Sequence, residues 1–146
     1  MNPADRPLPS DIHAYLVTGG RIVLAGRTDA ANDYLSIKLA RAKDLWFHIR
    51  GMPGSHVVLR AREDGAPDKA TIELAASIAA YHSKARNAGV VPVGWTEAKH
   101  VSKPRGAKPG TVTMARESVI KVRPIAADAL AAFKNAYDER LETDED

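Results

Sequence analysis

Apolar residues alternate at period two over residues 13–18 and 21–25, on either side of Gly19-Gly20, and predict a β-hairpin closed by a two-residue turn. From Thr28 the period lengthens. Ala31, Leu35, Leu39 and Ala42 recur at helical spacing, with Thr28 or Asp29 placed to cap the first turn. Residues 44–60 return to period two as D-L-W-F-H-I-R-G-M-P-G-S-H-V-V-L-R, two strands joined by Gly-Met-Pro-Gly. After the turn signal Asp64-Gly65-Ala66-Pro67, Asp68 can cap a helix running to about Asn87 and stopping at Gly89. Its inner stripe of Ile72, Ala75, Ala76, Ala79 and Ser83 is small, which predicts close approach to a sheet. Residues 90–101 are strand-like, and 111–115 and 118–124 read as short strands, the last rich in β-branched side chains. Between them, residues 102–110 hold two prolines and two glycines, which forbid regular structure. A final helix over 126–141 spaces Leu130, Phe133, Tyr137 and Leu141 along one face. The pattern predicts an α+β fold: a mixed, largely antiparallel sheet of about six to seven strands with two to three helices.

The 44–60 segment carries more chemistry than a core requires. Leu45, Phe47 and Ile49 share one strand face, so Trp46, His48 and Arg50 share the other; on the second strand Ser55, Val57 and Leu59 lie opposite His56, Val58 and Arg60. A sheet face of indole, imidazole and guanidinium reads as a recognition surface. Trp46 can stack on an exposed base, and its competing reading is a second core face under the alanine-rich helix. His48 and His56 can donate to phosphates or stack on bases, or be half-buried and internally bonded. Arg50 and Arg60 can fork onto phosphate oxygens. Ser55, after Pro53-Gly54, offers a hydroxyl and an N–H beside a turn, or simply caps it.

Composition sharpens this picture. With 146 residues, 45% hydrophobic, the chain is long enough for one domain with a core. No run of about 18 apolar residues is present, and the polar, proline-rich start lacks the build of an export signal, so a soluble cytoplasmic protein without membrane contact is expected. The absence of cysteine removes disulfides, thiolate nucleophiles and cysteine-based zinc sites. The net charge of +3 hides an asymmetry: residues 142–146 hold four acids, and without them 21 bases face 14 acids, a balance of +7. Between Glu97 and Arg123 stand seven bases (Lys99, Lys103, Arg105, Lys108, Arg116, Lys121, Arg123) against two acids. Such density favours a polyanion, because each neutralised phosphate releases condensed counterions. Lys103, Arg105 and Lys108 ride on the irregular 102–110 loop, which therefore reads as an exposed cationic arm.

The segments D-L-W-F-H-I-R and P-G-S-H-V-V-L-R, the helix E-L-A-A-S-I-A-A-Y-H-S, and W-T-E-A-K-H-V-S-K-P-R-G-A-K-P-G-T-V together resemble the NFACT-R domain, the RNA-binding module of ribosome-quality-control factors. The upstream G-R-T-D-A-A-N-D-Y-L-S agrees too, and the likeness spans about residues 13–124 in order and spacing. It implies a mixed α/β domain contacting tRNA or rRNA, with the large ribosomal subunit as a further partner and DNA as a competing polyanion. The candidate contact set, read from the residues themselves, is Trp46, His48, Arg50, Ser55, His56, Arg60, Lys99, Lys103, Arg105 and Lys108, and no cofactor, metal or catalytic residue is expected. One departure is Ser102 before Lys103, where relatives often carry a second base. Around residues 13–124 the expected organisation is an extension (1–12), a helix (125–141) and an acidic tail (142–146), a stand-alone member of the family.

Two rival classes remain at this level. Asp44, His48 and His56 can be drawn as a hydrolytic or metal-binding cluster, although no second acid lies nearby and neither an H-E-x-x-H nor a phosphate-loop motif occurs. A protein-docking adaptor would use the acidic tail and the Leu130-to-Leu141 helix face, and need not exclude RNA.

Overall fold

The computed structural model describes residues 8–144, so most of the expected N-terminal extension (1–7) and the end of the acidic tail (145–146) lie outside the described residues. Eight strands and three helices follow in the order β1 (Ile12–Val17), β2 (Arg21–Gly26), α1 (Asp29–Asp33), β3 (Leu45–Ile49), β4 (Val57–Leu59), α2 (Lys69–Tyr81), β5 (Val91–Glu97), β6 (Val101–Ser102), β7 (Thr113–Met114), β8 (Ser118–Val122) and α3 (Ala127–Asp144). Six strands form one antiparallel sheet ordered β1-β2-β4-β3-β5-β8; β6 and β7 make a separate short hairpin. The α+β class is as the sequence predicts. Among the described residues no helix is long and apolar enough to cross a membrane.

The sheet is covered on both faces, and that decides the site. On one face Tyr15, Val23, Phe47, Val57 and Val93 pack against Ala75, Ala76, Ile78 and Ala79 of α2, and all are essentially excluded from solvent. Methyl side chains let the helix seat low on the strands, and the burial of so much apolar surface at about 25 cal/mol per Å² makes this the main core. On the other face Ile12, Ala14, Leu24, Trp46 and Val58 meet Ala31, Leu35 and Leu39, with Val101 closing the cluster. Along the chain α3 lies against β1: Leu130 is buried, Phe133 and Tyr137 are half-buried, and Leu141 remains exposed. Most of the apolar stripe that an adaptor would have used is thus spent inside the fold.

Three local expectations change. Val17 pairs with Arg21, so the first hairpin closes through three residues, Thr18-Gly19-Gly20, and both glycines take left-handed backbone (φ +81° and +77°). Thr28 does cap α1, its hydroxyl accepting from the Ala31 N–H at 3.0 Å, but the helix widens after Asp33 into π-helical turns over Tyr34–Leu39 and ends at Ala40, not Ala42. The wide turns keep Leu35, Ser36 and Leu39 all facing the sheet. Asp68 caps α2 as expected, accepting from Thr71 N–H at 2.8 Å, yet α2 stops at Tyr81 rather than near Asn87. Tertiary pairing ends it: the Ser55 N–H donates to the His82 carbonyl at 2.8 Å, and Gly54 pairs with Ser83.

Candidate nucleic-acid interface

The second core contains a polar chain. Trp46 Nε1–H donates to Ser36 Oγ at 2.8 Å, Ser36 Oγ lies 2.7 Å from His56 Nδ1, and His56 Nε2 lies 3.1 Å from the Gly110 carbonyl. The donors can be assigned from the fixed ends. An indole N–H can only donate and a carbonyl can only accept, so His56 carries its proton on Nε2 and receives the Ser36 hydroxyl proton on Nδ1. Burial pushes the His56 pKa down to about 4, with the nearby His48 adding to the effect, so the ring is neutral at pH 7. Its backbone N–H is held by Asn32 Oδ1 at 3.0 Å.

That chain ends on the cationic loop. Besides the His56 contact, the Gly110 N–H donates to Asp33 Oδ1 at 2.9 Å, and Lys103 Nζ pairs with Asp33 Oδ2 at 3.0 Å. Lys103 also donates to the Lys108 carbonyl at 2.8 Å, and the loop closes two turns of its own, Ala107 N–H to Pro104 and Thr111 N–H to Lys108. The loop is therefore a braced projection rather than a loose arm. Arg105 and Lys108 stand exposed on it.

Sequence alternation brings the right residues to one face, and tertiary packing then sorts them. Trp46 and His56, each 3% exposed, lie in the interior behind the surface. What covers Trp46 is the Asp29-to-Leu39 helical segment, whereas the alanine-rich helix α2 covers the opposite face. Arg60 is also turned inward, pairing with the buried Asp44 at 3.1 Å and donating to the Leu39 carbonyl. His48 is half-buried and stacks flat on Trp46, ring centroids 6.0 Å apart and 9° from parallel. Burial lowers its pKa against the opposing pull of hydrogen bonds to the Ile49 and Gly54 carbonyls. Around it lies a shallow hollow of about 330 Å³ whose walls include Trp46, His48, Arg50, Val112, Met114 and Glu117. Arg50 is exposed at its rim, 3.4 Å from Glu117, and Lys99 is exposed and 3.5 Å from Glu97.

Of the hydrolase alternative's residues the structure brings His48 and His56 together, ring centroids 5.7 Å apart, but leaves Asp44 out of the pair. The Asp44 carboxylate accepts from the N–H groups of Arg41 and Ala61 as well as from Arg60, and four extended residues, roughly 13 Å at about 3.3 Å each, separate it from His48. Among the described residues no group of three or more histidines and acids could hold a metal ion. Ser55 sits apart from the His48 hollow, in a cleft with Arg27, Lys84 and Arg86, bases that the sequence reading missed because they lie on two turns outside the basic 97–123 stretch.

A sheet covered on both faces, carrying a braced loop with outward cations, has the build of a polyanion-binding α+β domain. The chain belongs to the NFACT protein RNA binding domain family, whose sequence profile matches residues 12–116. It is 44% identical over 125 residues to the Rqc2 homolog RqcH of Bacillus subtilis, an alignment covering 86% of this chain and 21% of that protein. The Rqc2 homolog RqcH of Streptococcus suis is 43% identical over 111 residues, 75% of this chain and 20% of that one. The chain thus spans about a fifth of the length of these curated relatives. Among solved structures it superimposes with a TM-score of 0.78 on the C-terminal part of the fibronectin/fibrinogen-binding protein from Streptococcus suis, at 39% identity, covering 86% of this chain and 50% of the other.

Proposed function

We propose that this domain binds structured RNA, either tRNA or ribosomal RNA, in cytoplasmic ribosome-associated quality control, through the face that carries the 102–110 loop and the His48 hollow. Family membership and the RqcH relatives support the RNA and quality-control parts of the reading. The observation that carries the site is the bracing of the loop. Arg105 and Lys108 are held out by an Asp33–Lys103 ion pair and a buried histidine, so little loop entropy is lost when phosphates arrive.

Within this reading Arg105, Lys108, Lys99, Arg50 and His48 touch RNA, while Trp46, His56, Arg60 and Lys103 position them from behind. Contacts of this kind fix the register of a phosphate backbone without reading its sequence, so DNA competes as a polyanion. The large ribosomal subunit is the expected source of the rRNA.

Fluorescence anisotropy with labelled tRNA and rRNA fragments tests the assignment. The double variant R105E/K108E is expected to weaken binding at least tenfold and to flatten its salt dependence, with an unchanged unfolding midpoint because both side chains are exposed. Unchanged affinity in that variant would remove the loop from the interface. Lys103→Glu is a poor choice for this purpose, since it would set two carboxylates against each other at Asp33.

A further inference from the structure

A cleft of about 470 Å³ opens where three turns meet: the exit of β2 at Arg27 to Asp29, the Pro53-Gly54-Ser55 turn before β4, and residues 82–86 after α2. Its geometry is fixed by the Ser55-to-His82 backbone bond and by Gly54, where a Cβ would lie 2.8 Å from Ile49 Cγ2 and 3.0 Å from Ser83 Cβ. His13 and His82 line it with rings 4.9 Å apart and 21° from parallel, and the Tyr15 hydroxyl lies 2.7 Å from His82 Nε2. Burial lowers the pKa of both rings, His82 to about 4, so they are neutral at pH 7 and can donate or accept hydrogen bonds. Among the described residues neither ring nitrogen of His13 has a hydrogen-bond partner.

Cations stand at the mouth. Arg27, Lys84 and Arg86 are exposed there against one acid, Asp29. Arg86 is oriented, its Nε donating to the Tyr81 carbonyl at 2.9 Å and its guanidinium lying 4.1 Å over the Tyr81 ring. Arg27 and Lys84 form no ion pair among the described residues. The cleft adjoins the cationic loop: Gly110, at the loop's end, packs so tightly on Asp29 that a Cβ there would lie 2.9 Å from its Oδ1. A strand passing Arg105 and Lys108 can therefore continue into the cleft.

We propose that this cleft seats one unpaired nucleotide of the bound RNA, its phosphate between Arg27 and Lys84 at the mouth and its base edge against His13 and Ser55. The inference rests on the RNA reading above and adds what part of the RNA is recognised. A cavity of this size falls within the range of about 300–1,000 Å³ common for small-molecule sites. Neutral polar rings inside and cations at the mouth suit a base inserted by its edge while the phosphate stays outside. Sequence-specific proteins read RNA mostly through splayed, unpaired bases, because in a duplex the major-groove edges lie in a groove too deep and narrow for side chains.

The test uses the intact chain and the imidazole carbon–proton NMR signals of its five histidines. Three probes are titrated: 5′-phosphorylated hexauridylate, a blunt RNA duplex and inorganic phosphate. Hexauridylate is expected to move the His13 and His82 signals saturably and leave His56 in place, while the duplex moves neither cleft histidine. R27Q/K84Q should remove those shifts, weaken hexauridylate about tenfold and lower the slope of log Kobs against log salt by about 0.7, the value for one phosphate on a single strand. If hexauridylate saturates the chain without moving His13 and His82, the cleft assignment falls and the loop reading stands. If neither RNA binds at about 50 mM salt, both fall. Full shifts from inorganic phosphate alone, with no gain from the oligonucleotide, would reduce the cleft to a simple anion site and overturn the proposal.

Discussion

Acidification from pH 7 to 4 should unfold this domain mainly through its buried imidazoles, and His56 allows the effect to be worked out. An unfolded histidine titrates near 6.5, whereas burial holds the native His56 near 4. Between those values the unfolded chain binds a proton that the native one refuses. The stability from the neutral ring is therefore complete above about pH 6.5, falls as the pH drops through the window, and levels off below about 4. A gap of this size corresponds to about 3 kcal/mol, at 1.36 kcal/mol per pH unit. His82, also lowered to about 4 by burial and by its neighbours His13 and Arg86, adds a second loss of the same sign. Together they are comparable with the whole stability of a typical domain, about 5–15 kcal/mol. Urea unfolding followed by circular dichroism at pH 7, 6, 5 and 4 measures the slope, and carboxylates common to both proteins cancel when His56→Gln is compared with the parent. The variant should be less stable at pH 7 but lose stability with falling pH less steeply across the window, the remaining slope coming from His13, His48 and His82, which burial also lowers. Equal slopes in the two proteins would refute the buried, neutral His56.

Two further outcomes follow from the packing. Trp46→Phe removes the N–H that donates to Ser36 and leaves a gap in the second core, and should cost about 2 kcal/mol in urea unfolding. RNA affinity of the folded variant should change little, because the indole lies behind the surface; a tenfold loss in anisotropy without loss of stability would return Trp46 to the interface. Gly54→Ala places a methyl 2.8 Å from Ile49 and 3.0 Å from Ser83, so thermal unfolding should show a loss of about 1–3 kcal/mol and the cleft histidine signals should shift in the free protein.

Much of this molecule is legible in its sequence, because the information is local. Period two at 45–49 and 57–59, helical spacing from 69 to 81, and the capping oxygens of Thr28 and Asp68 each act within a few residues, and the structure honours them. The motifs around residues 44–60 and 95–112 were long enough to place the chain in its family. Alternation also told correctly that Trp46, His48 and Arg50 share one side of the sheet. What alternation cannot tell is whether that side faces water. Only the arrival of the Asp29-to-Leu39 segment and of Val101, from outside the motif, buries Trp46 and His56 and converts a would-be contact face into a brace. The cleft at Arg27, Lys84 and Arg86 was invisible for the same reason: three turns distant in sequence meet there through backbone bonds and one close-packed glycine, and no single stretch of chain carries the pattern. Sequence fixes which residues share a face, since that depends on dihedral angles alone; which faces remain open depends on what packs over them, and that is a property of the assembled fold.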